Sequence, residues 1–248
     1  MKFANDLMPS EMNHSNAMLH NSACLPVILM PDISGSMRGE PMQKLEEALG
    51  SFREDVMRIP ETRARMDIAV IAYNSSPHLI TEFTDMDHWE APTLTAGGLT
   101  ETAEAMQFAL DYMDEYRRTL NEAGIPVYRP IIVHISDGAS TSSEDDTQQA
   151  LARIHARMRA TGGTNKLKLW NFSTCDDEEC LRALKQYSPF TIKVENRCYA
   201  DVFNWLADSF ERISDSTLVV SENGEYVETK QIPPPLPQNL TFVEEFNR

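Results

Sequence analysis

The sequence predicts an α/β fold in which a doubly wound, mostly parallel, Rossmann-like sheet carries helices on both faces and one antiparallel edge strand. Three observations lead to this prediction. Apolar runs of strand length alternate along the chain with longer segments of helical period. Most of these runs are continuous, as in strands buried on both faces, whereas one alternates between apolar and polar residues. The chain has 248 residues, of which 42% are apolar, and this is enough for a sizeable core.

The first half of the chain supplies three strands and two helices. Residues 25–32 form a continuous apolar run, and residues 40–60 place large apolar side chains at helical spacing behind an early proline. A second buried strand is predicted at 66–73. Residues 78–84 alternate in polarity, which is typical of an edge strand reached through a hairpin. A long helix is predicted after the Gly-rich loop that ends at Thr100.

The second half continues the same alternation. The predicted elements are, in order, a strand at 129–136, a helix from about 142, a strand at 166–173, a short helix around Cys180, a strand at 190–194 and a helix at 200–213. Parallel strands joined by helices place their carboxyl ends at one edge of the sheet, which is where ligands bind in such folds. Side chains that follow these strands are therefore the candidates for a functional site.

Composition changes along the chain indicate four regions. Residues 1–23 are polar and rich in Met and Asn, which predicts a flexible arm, and residues 24–214 form the α/β domain. Residues 215–231 predict a β-hairpin extension that turns at Asn223-Gly224. Residues 232–248 form a Pro-rich tail that tends towards polyproline II conformation.

The formal charge of −16 argues against nucleic acid or an anionic membrane as the main partner, because both require basic surface. No segment has the apolar length of a signal peptide or a membrane span. The four cysteines, in a chain without an export signal, favour reduced thiols over disulfides. We therefore expect a cytoplasmic protein.

Small oxygen-bearing side chains follow the first strand at alternate positions, as Asp32, Ser34 and Ser36. Asp137 ends a later strand, and Thr100 stands on a Gly-rich loop before a helix. The predicted sheet places these residues on the same edge. Carboxylates and hydroxyls are the ligands that a hard cation such as Mg²⁺ prefers.

This constellation resembles the metal-ion-dependent adhesion site of von Willebrand factor type A domains, which combines Asp-x-Ser-x-Ser, a distant Thr and a later Asp before Gly. The resemblance covers roughly residues 25–214. It implies that Ser34, Ser36 and Thr100 bind Mg²⁺ directly, with Mn²⁺ or Ca²⁺ as alternatives, and that Asp32 and Asp137 act largely through waters. It also implies a free coordination position for a carboxylate from another protein.

Three stretches are similar to the TerY-like type A proteins of bacteria, which are linked to tellurium resistance and stress. They are residues 25–41 (LPVILMPDISGSMRGEP), 94–100 (LTAGGLT) and 136–138 (SDG). The resemblance implies a protein-interaction module in a stress or defence complex. Its partner would supply an Asp or Glu, and kinase-like or phosphatase-like proteins are plausible companions.

Each residue also has a simpler interpretation. Asp32 and Ser34 could cap the following helix, Thr100 could be a helix N-cap, and Asp137-Gly138 could form an ordinary turn. His134 is expected to be a core residue.

The alternative function is a Mg²⁺-dependent phosphohydrolase or phosphoryl-transfer enzyme with Asp32 as nucleophile. A Ser stands at position 34, where a second Asp would serve that chemistry, and no G-x-S-x-G elbow is present in the chain. We therefore expect no enzymatic activity.

Overall fold

The computed structural model describes residues 23–160, 166–216, 218–220, 226–228 and 233–243. Residues 1–22, which make up nearly all of the predicted arm, lie outside this range. The strands of the described part are β1 (Leu25–Pro31), β2 (Met66–Tyr73), β3 (Pro77–Asp85), β4 (Ile131–Ser136), β5 (Lys168–Ser173), β6 (Thr191–Val194), β7 (Leu218–Val220), β8 (Tyr226–Glu228) and β9 (Leu240–Phe242). The α-helices are α1 (Glu40–Met57), α2 (Pro60–Arg65), α3 (Thr102–Glu122), α4 (Glu144–Arg159), α5 (Glu178–Tyr187) and α6 (Tyr199–Ser214).

Seven strands form one sheet in the order β3-β2-β1-β4-β5-β6-β9. Strand β1 pairs in parallel with β2 on one side and with β4 on the other. All seven residues of β1 are buried, as its continuous apolar run predicts. The pairings β4–β5 and β5–β6 are also parallel, so the predicted α/β fold class is confirmed.

Both ends of the sheet are antiparallel. Strand β3 pairs antiparallel with β2, which confirms the predicted edge strand. The sequence pattern predicts only this antiparallel edge, whereas β9 forms a second one against β6. The second edge comes from the region predicted as a Pro-rich tail. Its short length and distant partner left no local pattern from which it could be predicted.

Helices cover both faces of the sheet and define two apolar layers. Alternate residues of β1 point to opposite layers, Val27 and Leu29 to one and Ile28 and Met30 to the other. Helices α1 and α6 close the first layer, where Phe52 of α1 contacts aromatic rings of α6. Helices α3 and α4 close the second layer.

Helix α1 ends at Met57, and the separate short helix α2 follows it. The sequence predicts one helix ending near Pro60. Pro60 instead opens α2, in the first-turn position that proline favours. Only Thr62 of α2 is buried, so this helix has no apolar stripe that would distinguish it from a loop.

The segment at 233–243 packs against the main domain. The indole Nε1 of Trp205 in α6 donates a hydrogen bond to the carbonyl oxygen of Pro234 at 3.0 Å. Leu240 of β9 is buried in the layer beneath α1 and α6. Strands β7 and β8 pair antiparallel, and the predicted turn at Asn223-Gly224 lies outside the described residues. Within the described ranges, the chain has no helix with the length and apolar character that crossing a lipid bilayer requires.

Candidate metal centre

The predicted site residues gather at the carboxyl ends of β1 and β4. Asp32 follows β1 directly, and its backbone N–H donates to the carbonyl oxygen of Ile135 at 2.8 Å. Asp137 follows β4 directly. Because β1 and β4 are parallel neighbours, the two carboxylates stand on the same edge of the sheet.

Asp32 is fully buried, and both of its carboxylate oxygens accept hydrogen bonds. Oδ1 accepts from the backbone N–H of Ser34 at 2.7 Å, and Oδ2 accepts from the hydroxyl of Ser136 at 2.9 Å. The pKa of Asp32 is raised to about 6, mainly by burial and to a smaller extent by the negative charge of Asp137, while the hydrogen bonds from Ser34 and Ser136 partly offset the rise. The electrostatic field at Asp32 therefore favours an added positive charge.

A chain of short oxygen–oxygen contacts joins the loop after β1 to the loop after β4. The hydroxyls of Ser34 and Ser36 lie 3.0 Å apart, and the Ser36 hydroxyl donates to Oδ1 of Asp137 at 2.7 Å. Ser34 is buried, while Ser36 is exposed to solvent. The structure thus brings together Asp32, Ser34, Ser36 and Asp137, with one side of the group open.

The Gly-rich loop that carries Thr100 is fastened to the loop after β1 through its main chain. The Gly97 N–H donates to the Ile33 carbonyl at 2.7 Å, and the Gly35 N–H donates to the Gly98 carbonyl at 3.1 Å. A Cβ on Gly35 would lie only 3.4 Å from the Gly98 carbonyl oxygen, so the two loops approach closely.

The other side of this loop is held by the segment after β4. The Thr100 N–H donates to the hydroxyl of Thr141 at 3.1 Å, and the Thr100 carbonyl accepts from the Thr141 N–H at 2.8 Å. The Ser140 hydroxyl also donates to the Thr100 carbonyl, at 3.2 Å. Thr100 therefore lies between the two loops that carry Asp32 and Asp137, placed there by main-chain contacts rather than by direct pairing with those carboxylates.

The helix-capping interpretations do not fit the observed helix ends. The N-cap of α1 is Gly39, which offers no side chain, so neither Asp32 nor Ser34 caps that helix. The N-cap of α3 is Glu101 rather than Thr100. Ser34 precedes a short 3₁₀ turn at Gly35–Met37, but its side chain makes no capping hydrogen bond there. The hydroxyls of Ser34 and Thr100 thus remain available for another role.

Sequence reasoning missed Ser136, whose hydroxyl orients the Asp32 carboxylate. The SDG stretch at 136–138 contains it, but only Asp137 of that stretch is predicted as a site residue. The parallel pairing of β1 with β4 could have identified it, since that pairing places the end of β4 beside Asp32. Ser140 and Thr141, which hold the Thr100 loop, lie in a polar stretch without a distinguishing pattern.

A buried polar chain lies behind the site, within the sheet. The Tyr73 hydroxyl is 2.7 Å from Nε2 of His134, and Nδ1 of His134 is 3.2 Å from the side-chain oxygen of Asn171. Burial lowers the pKa of His134 to about 4, so the imidazole is neutral near pH 7. His134 is therefore the satisfied core residue that the sequence predicts.

The donor set fits a hard divalent cation. It consists of two carboxylates and three hydroxyls, which are oxygen ligands of the kind that Mg²⁺, Mn²⁺ and Ca²⁺ prefer. Among the described residues, no group of three or more His, Cys, Asp or Glu side chains is arranged to hold a metal.

Comparisons with known proteins agree with this architecture. Residues 27–140 match the family model described as the von Willebrand factor type A domain. A von Willebrand factor type A structure from Catenulispora acidiphila has a TM-score of 0.54 at 12% identity and covers 79% of this chain and 44% of its own. No curated protein matches the chain.

Two further solved structures share the fold. The vWF domain of the type V pili tip protein Mfa5 from Porphyromonas gingivalis has a TM-score of 0.52 at 14% identity, covering 75% of this chain and 94% of that domain. Proximal thread matrix protein 1 from the mussel byssus has a TM-score of 0.53 at 11% identity, covering 81% of this chain and 50% of its own. The chain thus spans about half the length of the first structures that it matches. Residues 27–140 thus resemble the von Willebrand factor type A family model, and the chain shares the fold of the solved von Willebrand factor type A structures.

Proposed function

We propose that the chain is a non-enzymatic interaction module that holds a divalent cation and uses it to bind an acidic residue of another protein. Von Willebrand factor type A domains are in general protein-interaction modules. The finer proposal concerns this chain's own residues. Ser34, Ser36 and Thr100 would hold Mg²⁺ directly, and Asp32 and Asp137 would hold it largely through waters.

The observation that carries the proposal is a series of contacts of 2.7–3.0 Å: the Ser34 backbone N–H with Asp32, the Ser34 hydroxyl with that of Ser36, and the Ser36 hydroxyl with Asp137. It joins two carboxylates that are distant in sequence. When bound, the cation supplies an electrophilic coordination position, because neutral hydroxyls withdraw little of its charge. The exposure of Ser36 supports access from solvent on this side.

The burial of Asp32 argues against the alternative enzyme. A nucleophilic carboxylate needs an oxygen that can reach a phosphorus atom. Asp32 is fully buried, and its two oxygens are held by the Ser34 N–H and the Ser136 hydroxyl. This geometry suits a residue that orients ligands rather than one that attacks a substrate.

The TerY-like resemblance of residues 25–41 supports a finer proposal about context, namely a bacterial stress or defence complex. The partner would be a protein that presents an Asp or Glu, with kinase-like and phosphatase-like proteins as candidates, rather than nucleic acid or a membrane. We also propose a cytoplasmic location. All four cysteines of the chain are free thiols, which is typical of a reducing compartment.

The test combines metal titration with partner capture. We expect Asp32→Ala and Thr100→Ala to weaken Mn²⁺ binding about 10–100-fold in calorimetry, because each removes a ligand or its support. Both substitutions, and EDTA added to the wild type, should abolish Mg²⁺-dependent capture of partners from a lysate of the source cells.

The matched control is Asp208→Ala, which removes an exposed carboxylate of α6. This variant should bind Mn²⁺ and capture partners as the wild type does. Partner capture that survives both site substitutions and EDTA would contradict the metal bridge.

A further inference from the structure

Leu99 is the most exposed large apolar side chain in the described part of the chain, with 57% of its surface accessible. The others are Ile80 and Phe242, which lie on the edge strands β3 and β9. Leu99 instead immediately precedes Thr100, on the loop that is fastened to the site. A single exposed leucine is ordinary on a protein surface, so its meaning depends on how it is held.

The loop holds Leu99 rigidly. Its backbone N–H donates to the hydroxyl of Ser75 at 3.0 Å. The neighbouring Gly98 adopts a φ of +85°, and its carbonyl accepts the hydrogen bond from Gly35. Backbone freedom at Leu99 is thus already lost in the folded protein. An apolar group that covers this side chain gains its burial with little further ordering of the loop.

A cationic side chain crosses the same loop. Arg38 follows Ser36 closely, and its Nε donates to the Ala96 carbonyl at 3.4 Å. Its guanidinium reaches to within 3.3 Å of where a Cβ on Gly97 would stand. Arg38 is exposed and forms no ion pair within the described ranges of the chain. On a chain with a net charge of −16, this places a positive side chain beside the site.

We infer that Ser36, Arg38, Leu99 and Thr100 form one docking surface that recognises a protein segment of defined chemistry, an inference that rests on the proposed metal bridge. The segment presents its metal-binding Asp or Glu next to a bulky apolar residue, which covers Leu99. A second acidic residue of the segment pairs with Arg38. The metal selects for a segment that carries a carboxylate. Leu99 and Arg38 then distinguish between such segments by the residues next to the Asp or Glu.

The experiment is a selection from a displayed library of random linear peptides on the immobilised full chain. Binding is carried out in Mg²⁺, and bound peptides are recovered with EDTA. We expect the recovered sequences to combine an acidic residue with a large apolar residue one or two positions away. The best peptide is then synthesised and titrated against variants.

Leu99→Ser should weaken binding of this peptide about tenfold, since part of a buried leucine contact is lost. Arg38→Ala should weaken it about threefold, and this loss should shrink at high salt. Ile80→Ser is the matched control, because it removes an exposed apolar side chain on β3, and it should leave binding unchanged. All three variants should bind Mn²⁺ as the wild type does, which shows that the site remains folded.

The outcomes separate this inference from the proposed function. Recovered peptides that share an acidic residue but no apolar neighbour, or a Leu99→Ser variant with wild-type peptide affinity, would overturn the docking surface and leave the metal bridge standing. If no peptide requires the metal, both the proposed function and this inference fall.

Discussion

His134 is a basic side chain buried where it cannot carry its charge. It lies between the Tyr73 hydroxyl and the Asn171 side chain, within hydrogen-bond distance of both. Neither group can offset a positive charge on the imidazole as a carboxylate would. The consequence is a folded-state pKa of about 4, against the ordinary value of 6.5, with burial as the main cause.

This shift makes the free energy of unfolding depend on pH. The folded pKa is depressed, so the unfolded chain binds the proton first as pH falls. The stabilisation from neutral His134 is complete above pH 6.5 and is lost between pH 6.5 and 4. We expect the wild type to lose about 2 kcal/mol more than His134→Gln between about pH 7.5 and 5, as measured by urea unfolding. Equal losses in the two proteins would show that His134 is not held neutral in the fold.

At the scale of elements, the loop at 96–100 shows how a glycine affects the position of a proposed metal ligand, Thr100. Gly98 has a φ of +85°, and a Cβ at this position would lie 2.8 Å from the hydroxyl oxygen of Ser75. The same loop carries Thr100 towards the site. The backbone conformation at Gly98 therefore determines where Thr100, the proposed ligand, lies.

Gly98→Ala should both destabilise the fold by about 1–2 kcal/mol and weaken Mn²⁺ binding, because the loop must shift to relieve the contact with Ser75. Gly124→Ala is the matched control, since Gly124 has a φ of +72° but would place its Cβ in open space. The control should lower the stability measured by thermal unfolding, because alanine disfavours this positive φ, but it should retain wild-type Mn²⁺ affinity in calorimetry. Unchanged Mn²⁺ binding in Gly98→Ala would show that the conformation of this loop does not affect the site.

The features of this fold that could be predicted from the sequence are those determined by residues close together in the chain. The apolar run of β1 and the oxygens at 32, 34 and 36 stand next to each other in sequence, so strand and candidate site could be predicted together. The support given by Ser136 to Asp32 depends on β1 pairing with β4, and the main-chain contacts of Gly98 depend on a loop fold. No local pattern encodes either, because both arise from pairings between distant segments.

At the scale of the whole molecule, the segment at 233–243 completes the domain. It supplies the last strand of the sheet, accepts the hydrogen bond from Trp205 and places Leu240 in the core. Strand β6 would otherwise present an open edge. The segment predicted as a Pro-rich tail thus packs against the rest of the domain.

Leu240→Ala should lower the free energy of unfolding by about 2–4 kcal/mol, as removal of a buried leucine usually does. Thr241→Ala alters the next residue of β9, which is exposed. This substitution should change the free energy of unfolding by less than about 0.5 kcal/mol. Tryptophan fluorescence during urea unfolding reports both values, because Trp205 contacts this segment. Similar small effects of the two substitutions would mean that β9 is not part of the folding unit.

The central position of β1 has a consequence for how the protein folds in time. Asp32 and Asp137 come from strands that are neighbours in the sheet but far apart along the chain, so the site forms only after the long crossover between β1 and β4 has closed. A cation that binds only the fully formed site therefore has almost no binding site in the folding transition state. It should lengthen the lifetime of the native state by slowing unfolding and leave the folding rate nearly unchanged.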